Sequence, residues 1–377
     1  GGSEGFVMMK AIACGLALWA AGQQQDPAEK RTLYVAVPGI RNYLEWGGAG
    51  ILVYDIDAGH RLVKRIATNY MDAEDPPDKK PENVKGIAAA PRAGRLYVTT
   101  ITRLACLDLR TEKLLWVRRL PDGCDRMAIS PDEKILYVPT FEKDHWNVVD
   151  AATGELVTRV LTRSGAHNTV FGADGRRVYL GGLRSPILFV ADAAEHRIVR
   201  EVGPFGAAVR PFTVNSAQTR AYVCVNGLLG FEVGDLASGK ILHRVEVPGY
   251  RPGPVKRHGC PSHGVGLTPD EKEVWVVDAA NRSVHIFDNT AEPPRYLESV
   301  RLFEEPGWIT FSLDGRWAYP STLEVIDVRT RRIVGRMNDE EGRPVMSEKV
   351  VEIHFAEGVP VRAGDQFGVG RARAAGR

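Results

Sequence analysis

Residues 129–140 read ISPDEKILYVPT, and VVDAATGELV follows at 148–157. A tight polar turn leads into an apolar strand carrying Tyr137, and a second apolar strand ends on Asp150 before another tight turn. The pattern is not local. Its strand recurs as TLYVAV, RLYVTT, RVYLGG, RAYVCV, EVWVVD and WAYPST, placing Tyr34, Tyr97, Tyr137, Tyr179, Tyr222, Trp275 and Tyr319 in one column. The steps are 63, 40, 42, 43, 53 and 44 residues, a unit of about 42 with two insertions.

A second column follows the first. Asp55, Asp108, Asp150, Asp192, Asp235, Asp288 and Asp327 each end an apolar strand and open a short turn. An Asp there can accept backbone N–H bonds across the turn, which is structural work, and catalysis would not need seven copies. Each unit holds four short strands, and no unit can bury both of its faces alone. The expected fold is therefore all-β, a seven-bladed β-propeller with four antiparallel strands per blade over residues 31–356. The first unit lacks its innermost strand. EKVVEIHF (348–355) is left over at the far end and is expected to pair with LYVAV, completing the first blade in a 1+3 arrangement.

The aromatic-Val-x-[TN] strand after S-P-D-[GE], followed by D-x-[AR]-T-G, resembles the YVTN-repeat propeller family. ISPDEKILYVPT with VVDAATGELV is the closest copy, and the resemblance spans about residues 31–356. It implies the fold. It implies little about function, because such relatives include electron-transfer partners and surface proteins. No WD dipeptide sits in the turns.

Outside the repeat, Met8, Met9 and Lys10 precede AIACGLALWAA and the small residues Ala20, Ala21 and Gly22. One positive charge, a short apolar core and a small-residue exit read as a secretory signal cut near Gly22/Gln23, so a periplasmic or secreted protein is expected. GGSEGFV upstream reads as a tag or gene-start artefact, and 357–377 as a C-terminal tail. No later run is apolar and long enough for a transmembrane segment. With 49 Lys+Arg against 47 Asp+Glu the balance is +2, which gives no electrostatic case for nucleic acid. A monomer is expected.

Chain direction then selects a face. If each innermost strand runs downward, the SPDE- and ATGE-type turns lie at the bottom and every long insertion lies on top. These are residues 37–50, 68–84 and 246–263. Insertions gathered on one face of a regular scaffold are where binding residues are expected. Counting back from the aromatic column puts Lys85, Asp125, His167, Arg210, His263, Gly307 and Glu348 at the upper ends of the inner strands. Arg126, Asn168, Trp308 and Lys349 lie one position lower. Lys85, Asp125, Arg126, His167, Asn168, Arg210, His263 and Trp308 are the candidate ligand-binding residues. Such a ring suits an anion, a carboxylate or a carbohydrate, and the expected role is binding a small polar ligand or a partner protein without catalysis. The rival is a propeller lactonase or hydrolase using His167, His263, Asp125 and Arg210. A third reading is a metal- or redox-linked partner using His258, Cys260 and His263, although H-x-C-x-x-H is not a standard zinc spacing. Tyr43, Trp46, Trp146, Tyr250 and Trp308 are expected on the top face. Cys106 and Cys224 read as buried thiols; Cys124 and Cys260 are either partly buried thiols or a disulfide across the mouth. No cofactor is implied: there is no nucleophile elbow, P-loop, H-E-x-x-H, dinucleotide fingerprint, C-x-x-C-H or EF-hand.

Overall fold

The computed structural model describes residues 1–2, 29–69 and 73–372; the expected signal segment lies outside them. Seven antiparallel sheets are present, one per repeat, and six of them have four strands in chain order. The first blade differs. Its strands Lys30–Val37, Gly50–Asp55 and Arg61–Ile66 are joined by Val350–Ala356 from the far end of the chain. That strand pairs with Lys30–Val37 from Lys30↔Phe355 to Val35↔Val350.

The two columns explain why the blades stack. Tyr97, Tyr137, Tyr179 and Tyr319 are buried, and each hydroxyl finds a partner one blade on, which a buried phenol needs. Tyr97 Oη donates to Ala151 O at 2.7 Å, Tyr137 Oη meets His196 Nδ1 at 2.7 Å, Tyr179 Oη donates to Gln218 Oε1 at 3.0 Å, and Tyr319 Oη meets His60 Nε2 at 2.8 Å. These partners lie on the bottom turns of the next blade, so the column staples neighbours together. The acidic column also does the structural work expected of it. Asp150 Oδ1 accepts Ala152 N at 2.9 Å and Thr153 N at 2.8 Å, and the other six acids cap their own turns in the same way. The turn closes through a left-handed residue, Gly154 with φ 75° in blade 3, and the ladder that follows carries a register shift in every blade.

Residues 357–372 do not lie outside the propeller. Val359–Ala363 adds to the inner side of Val350–Ala356, and the chain then crosses the lower channel. Gly368 O accepts Leu267 N at 2.9 Å and Thr213 Oγ1 at 2.8 Å, Gly370 N donates to Val214 O at 3.0 Å, and Arg371 N donates to Pro269 O at 3.0 Å. Gln366 Oε1 reaches Ile87 N at 3.4 Å, and Gln366 O accepts the indole N–H of Trp308. Inner strands of blades 2, 5, 6 and 7 thus bind one short segment through its backbone and a buried glutamine. Phe367 is buried among the apolar residues of blades 3 to 5, its ring 6.1 Å from that of Trp308. If this segment fills the channel, Phe367→Ala should lower the unfolding free energy in urea by about 3 kcal/mol. A loss within about 0.5 kcal/mol, the range of ordinary surface substitutions, would mean that the segment does not pack there.

Candidate functional site

The upper channel is a cavity of about 830 Å³. It shares no lining residue with the smaller cavity of about 340 Å³ that the C-terminal segment borders below, so it is a cup, closed at its base. Six basic side chains line it: Arg41, Lys85, Arg126, Arg210, Arg257 and Lys349. Only two carboxylates do, Glu142 and Glu348. The 246–262 insertion forms one wall and leaves the mouth open. Its backbone is held by the buried Glu305 carboxylate, which accepts Lys256 N at 2.8 Å and Arg257 N at 3.0 Å. Arg210 Nη2 donates to His258 O at 2.7 Å, and Arg41 donates to Arg257 O.

Of the eight candidate ligand-binding residues, Lys85, Arg126, His167, Arg210 and His263 line the cup. Asp125, Asn168 and Trp308 do not. Asp125 is fully buried behind the wall, where its Oδ2 meets His167 Nδ1 at 2.8 Å and its Oδ1 lies 3.4 Å from Lys85 Nζ. Burial opposes its charge, but His167 and Lys85 outweigh that and hold its pKa at about 2. Asn168 is buried in the blade. Trp308 lies beneath the cup: the Arg126 guanidinium sits 3.9 Å above its ring centroid. Gly307 contributes a carbonyl, which His263 Nδ1 meets at 3.0 Å.

The centre of the cup is an ion cluster. Arg126 pairs with Glu348 Oε2, and Lys349 Nζ lies 2.9 Å from the same oxygen and 2.8 Å from Gly39 O. All three side chains are buried. Glu348 is held far below the usual carboxylate range because Lys349 and Arg126 overcome the desolvation that would raise it. Lys349 is pushed down to about 7 by burial, which Glu348 offsets only in part. Three histidines gather beside this cluster. The rings of His258 and His263 stack with centroids 4.9 Å apart, and His167 is 6.3 Å from His263. Burial lowers all three pKa values, so each imidazole is neutral at pH 7.

Several sequence expectations are corrected. The four described cysteines are free and buried, so Cys124 and Cys260 form no disulfide. Cys260 is no partner for His258 and His263: its thiol, raised by burial, points to Ser262 O at 3.3 Å, and Glu348 stands beside the two imidazoles instead. Trp146 is not a top-face residue. It is fully buried between blades with Nε1 donating to Thr169 Oγ1 at 2.7 Å. Tyr43 does line the cup; Trp46 packs edge-on to Phe303, and Tyr250 packs on His285. Arg41, Arg257, Glu348 and Lys349 belong to the cup but were outside the candidate set. The first two arrive on loops with no fixed offset from the aromatic column. Glu348 and Lys349 were within reach, since both head the leftover strand.

The Arg126–Glu348 pair should behave as a coupled unit. Arg126→Met alone is expected to cost about 3 kcal/mol in urea unfolding, because it strips a buried carboxylate of one of its two counter-charges. Adding Glu348→Gln should recover part of the loss, with a coupling on the order of 2 kcal/mol. Strictly additive losses would contradict the pairing.

No family model matches this sequence, and the search of curated proteins found no match. Among solved structures the chain is similar to one titled "Kuenenia stuttgartiensis Hydrazine Synthase", at 15% identity over 76% of this chain and 89% of that one, with a TM-score of 0.58. A chain of "Crystal Structure of Mitotic Checkpoint Complex" matches at 11% identity over 84% and 95%, with a TM-score of 0.59. At such identities the likeness is one of fold, the seven-bladed propeller, and extends no further.

Proposed function

We propose that this chain is a binding propeller whose upper cup takes a small organic anion of the carboxylate class. One observation carries the reading: six basic side chains against two carboxylates line a single blind cavity of about 830 Å³. That volume suits a small molecule. The guanidinium groups of Arg126 and Arg210 are pre-positioned by Glu348 and by His258 O. Arginine in such a place favours planar, bidentate recognition of a carboxylate. The low-dielectric wall strengthens the attraction.

A panel of di- and tricarboxylates, with neutral sugars as controls, tests this by calorimetry. Carboxylates should bind with an affinity that falls as salt rises, and Lys85→Gln and Arg210→Gln should each weaken binding at least tenfold. Binding of the sugars with no response to carboxylates would overturn the anion reading.

The Asp125–His167 pair favours one second reading. A buried carboxylate orienting a neutral imidazole that lines a ligand cavity is the arrangement of a general base. A hydrolase acting on an anionic ester or lactone would use it. Turnover of such esters, lost in His167→Gln, would support catalysis over binding alone.

The repeats are read as the YVTN type on the strength of ISPDEKILYVPT and VVDAATGELV. The chain is read as exported on the strength of residues 8–22 alone. A mature N-terminus near Gln23, measured by intact mass after expression with the leader, would support export, and an uncut chain would count against it. Among the described residues no helix is long and apolar enough to cross a membrane.

A further inference from the structure

Two buried atoms at the back of the cup have no hydrogen-bond partner. Glu348 Oε1 lies 3.1 Å from His258 Nδ1 and 3.8 Å from His263 Nδ1 but receives no hydrogen bond, and His258 Nε2 is likewise unpartnered. Unmet polar atoms are costly when buried, and His263 converges on the two side chains that carry them. One ligand atom from each of His258, His263 and Glu348 can be chosen so that all lie within 4.8 Å of one another. We propose that these three residues bind a divalent first-row transition-metal ion. The inference goes beyond the anion reading and does not depend on it.

The donor set is two imidazole nitrogens and one carboxylate oxygen. Such a set suits zinc, cobalt, nickel or copper, whereas magnesium and calcium call for oxygen ligands almost throughout. The surrounding contacts are those a metal site needs. His263 Nδ1 meets Gly307 O at 3.0 Å, which fixes the tautomer and leaves Nε2 with a free lone pair. Arg126 and Lys349 both lean on Glu348 Oε2, orienting the carboxylate and leaving Oε1 free. Their positive charge weakens the site for any cation held by charge alone, which again favours an ion bound through imidazole. Gly307 makes the approach possible, since a Cβ there would lie 2.2 Å from His258 Cε1 and 2.5 Å from Glu348 Oε1.

The distances are close to what an ion requires. At tetrahedral angles, metal–ligand bonds of about 2.0–2.2 Å put any two ligands about 3.4 Å apart. A pair at the 4.8 Å bound must therefore close by about 1.4 Å, which small rotations of the three side chains supply together. All three residues line the cup, so it is the side from which further ligands would reach the ion. A water or an anion entering from above would occupy them.

Cobalt(II) titrated into chelator-treated full chain tests the proposal. One equivalent should bind and give visible d–d absorption, which zinc(II) then abolishes by displacement. His258→Gln and His263→Gln should each lower cobalt affinity at least tenfold. His243→Gln, on the outer strand of blade 5, should not, and circular dichroism of each variant reports folding. Two outcomes would overturn the assignment. One is the absence of stoichiometric binding of cobalt, nickel, copper and zinc by the unsubstituted chain, which needs no variant to fold. The other is undiminished binding in the His258→Gln/His263→Gln double variant.

Discussion

A single buried carboxylate, Glu348, holds together parts of the chain that lie far apart in sequence. Its Oε2 receives Arg126 from blade 3 and Lys349 from its own strand, and its Oε1 faces His258 and His263 at the entry to blade 6. Taking one carboxylate out of water costs several kcal/mol, and here two cations and the polar groups around them must offset that cost. Without it, Arg126 would be a buried guanidinium resting only on the face of Trp308. The same residue heads the strand that the far end of the chain donates to blade 1. Pairing that strand with Lys30–Val37 therefore also delivers the carboxylate to the cup.

The floor of the cup has a related origin. Seven inner strands diverge around an axis that their own side chains do not fill. The chain meets the deficit below with Val359–Ala363 and the segment after it, and leaves the space above open. Phe367 meets Trp308 edge-on at the floor, and Arg126 lies over Trp308 and reaches Glu348. Apolar packing below thus supports charged groups above. A site closed from beneath and walled by protein keeps its electrostatics strong, because little water screens them.

Much of this was legible in the sequence. The aromatic and acidic columns repeat seven times, and each has one physical job that can be recognised without coordinates: Tyr137 reaches the next blade, and Asp150 caps its own turn. Because the inner strands start at a fixed offset from the aromatic column, Lys85, Arg126, His167, Arg210 and His263 could be placed at the mouth. What failed was side-chain direction. The inner strands of blades 2, 4 and 5 carry register shifts at their upper ends, and a shift of one position turns neighbouring residues to different sides. Hence His167 faces the cup while Asn168 is buried in the blade. The pairing of His258 and His263 with Glu348 in place of Cys260 was hidden for another reason: proximity along a loop does not fix where a thiol points. The C-terminal segment VPVRAGDQFGVG repeats nothing and carries no strand period over most of its length, so its role depends on contacts that only the closed ring provides.

The central claim is that the cup is a blind, positively charged receptor for anions, and anomalous diffraction from crystals soaked in bromide tests it most directly. The account predicts a bromide peak inside the cup, within hydrogen-bonding reach of Arg126, Arg210 or Lys85. Bromide confined to the outer surface, with only water in the cup, would contradict it.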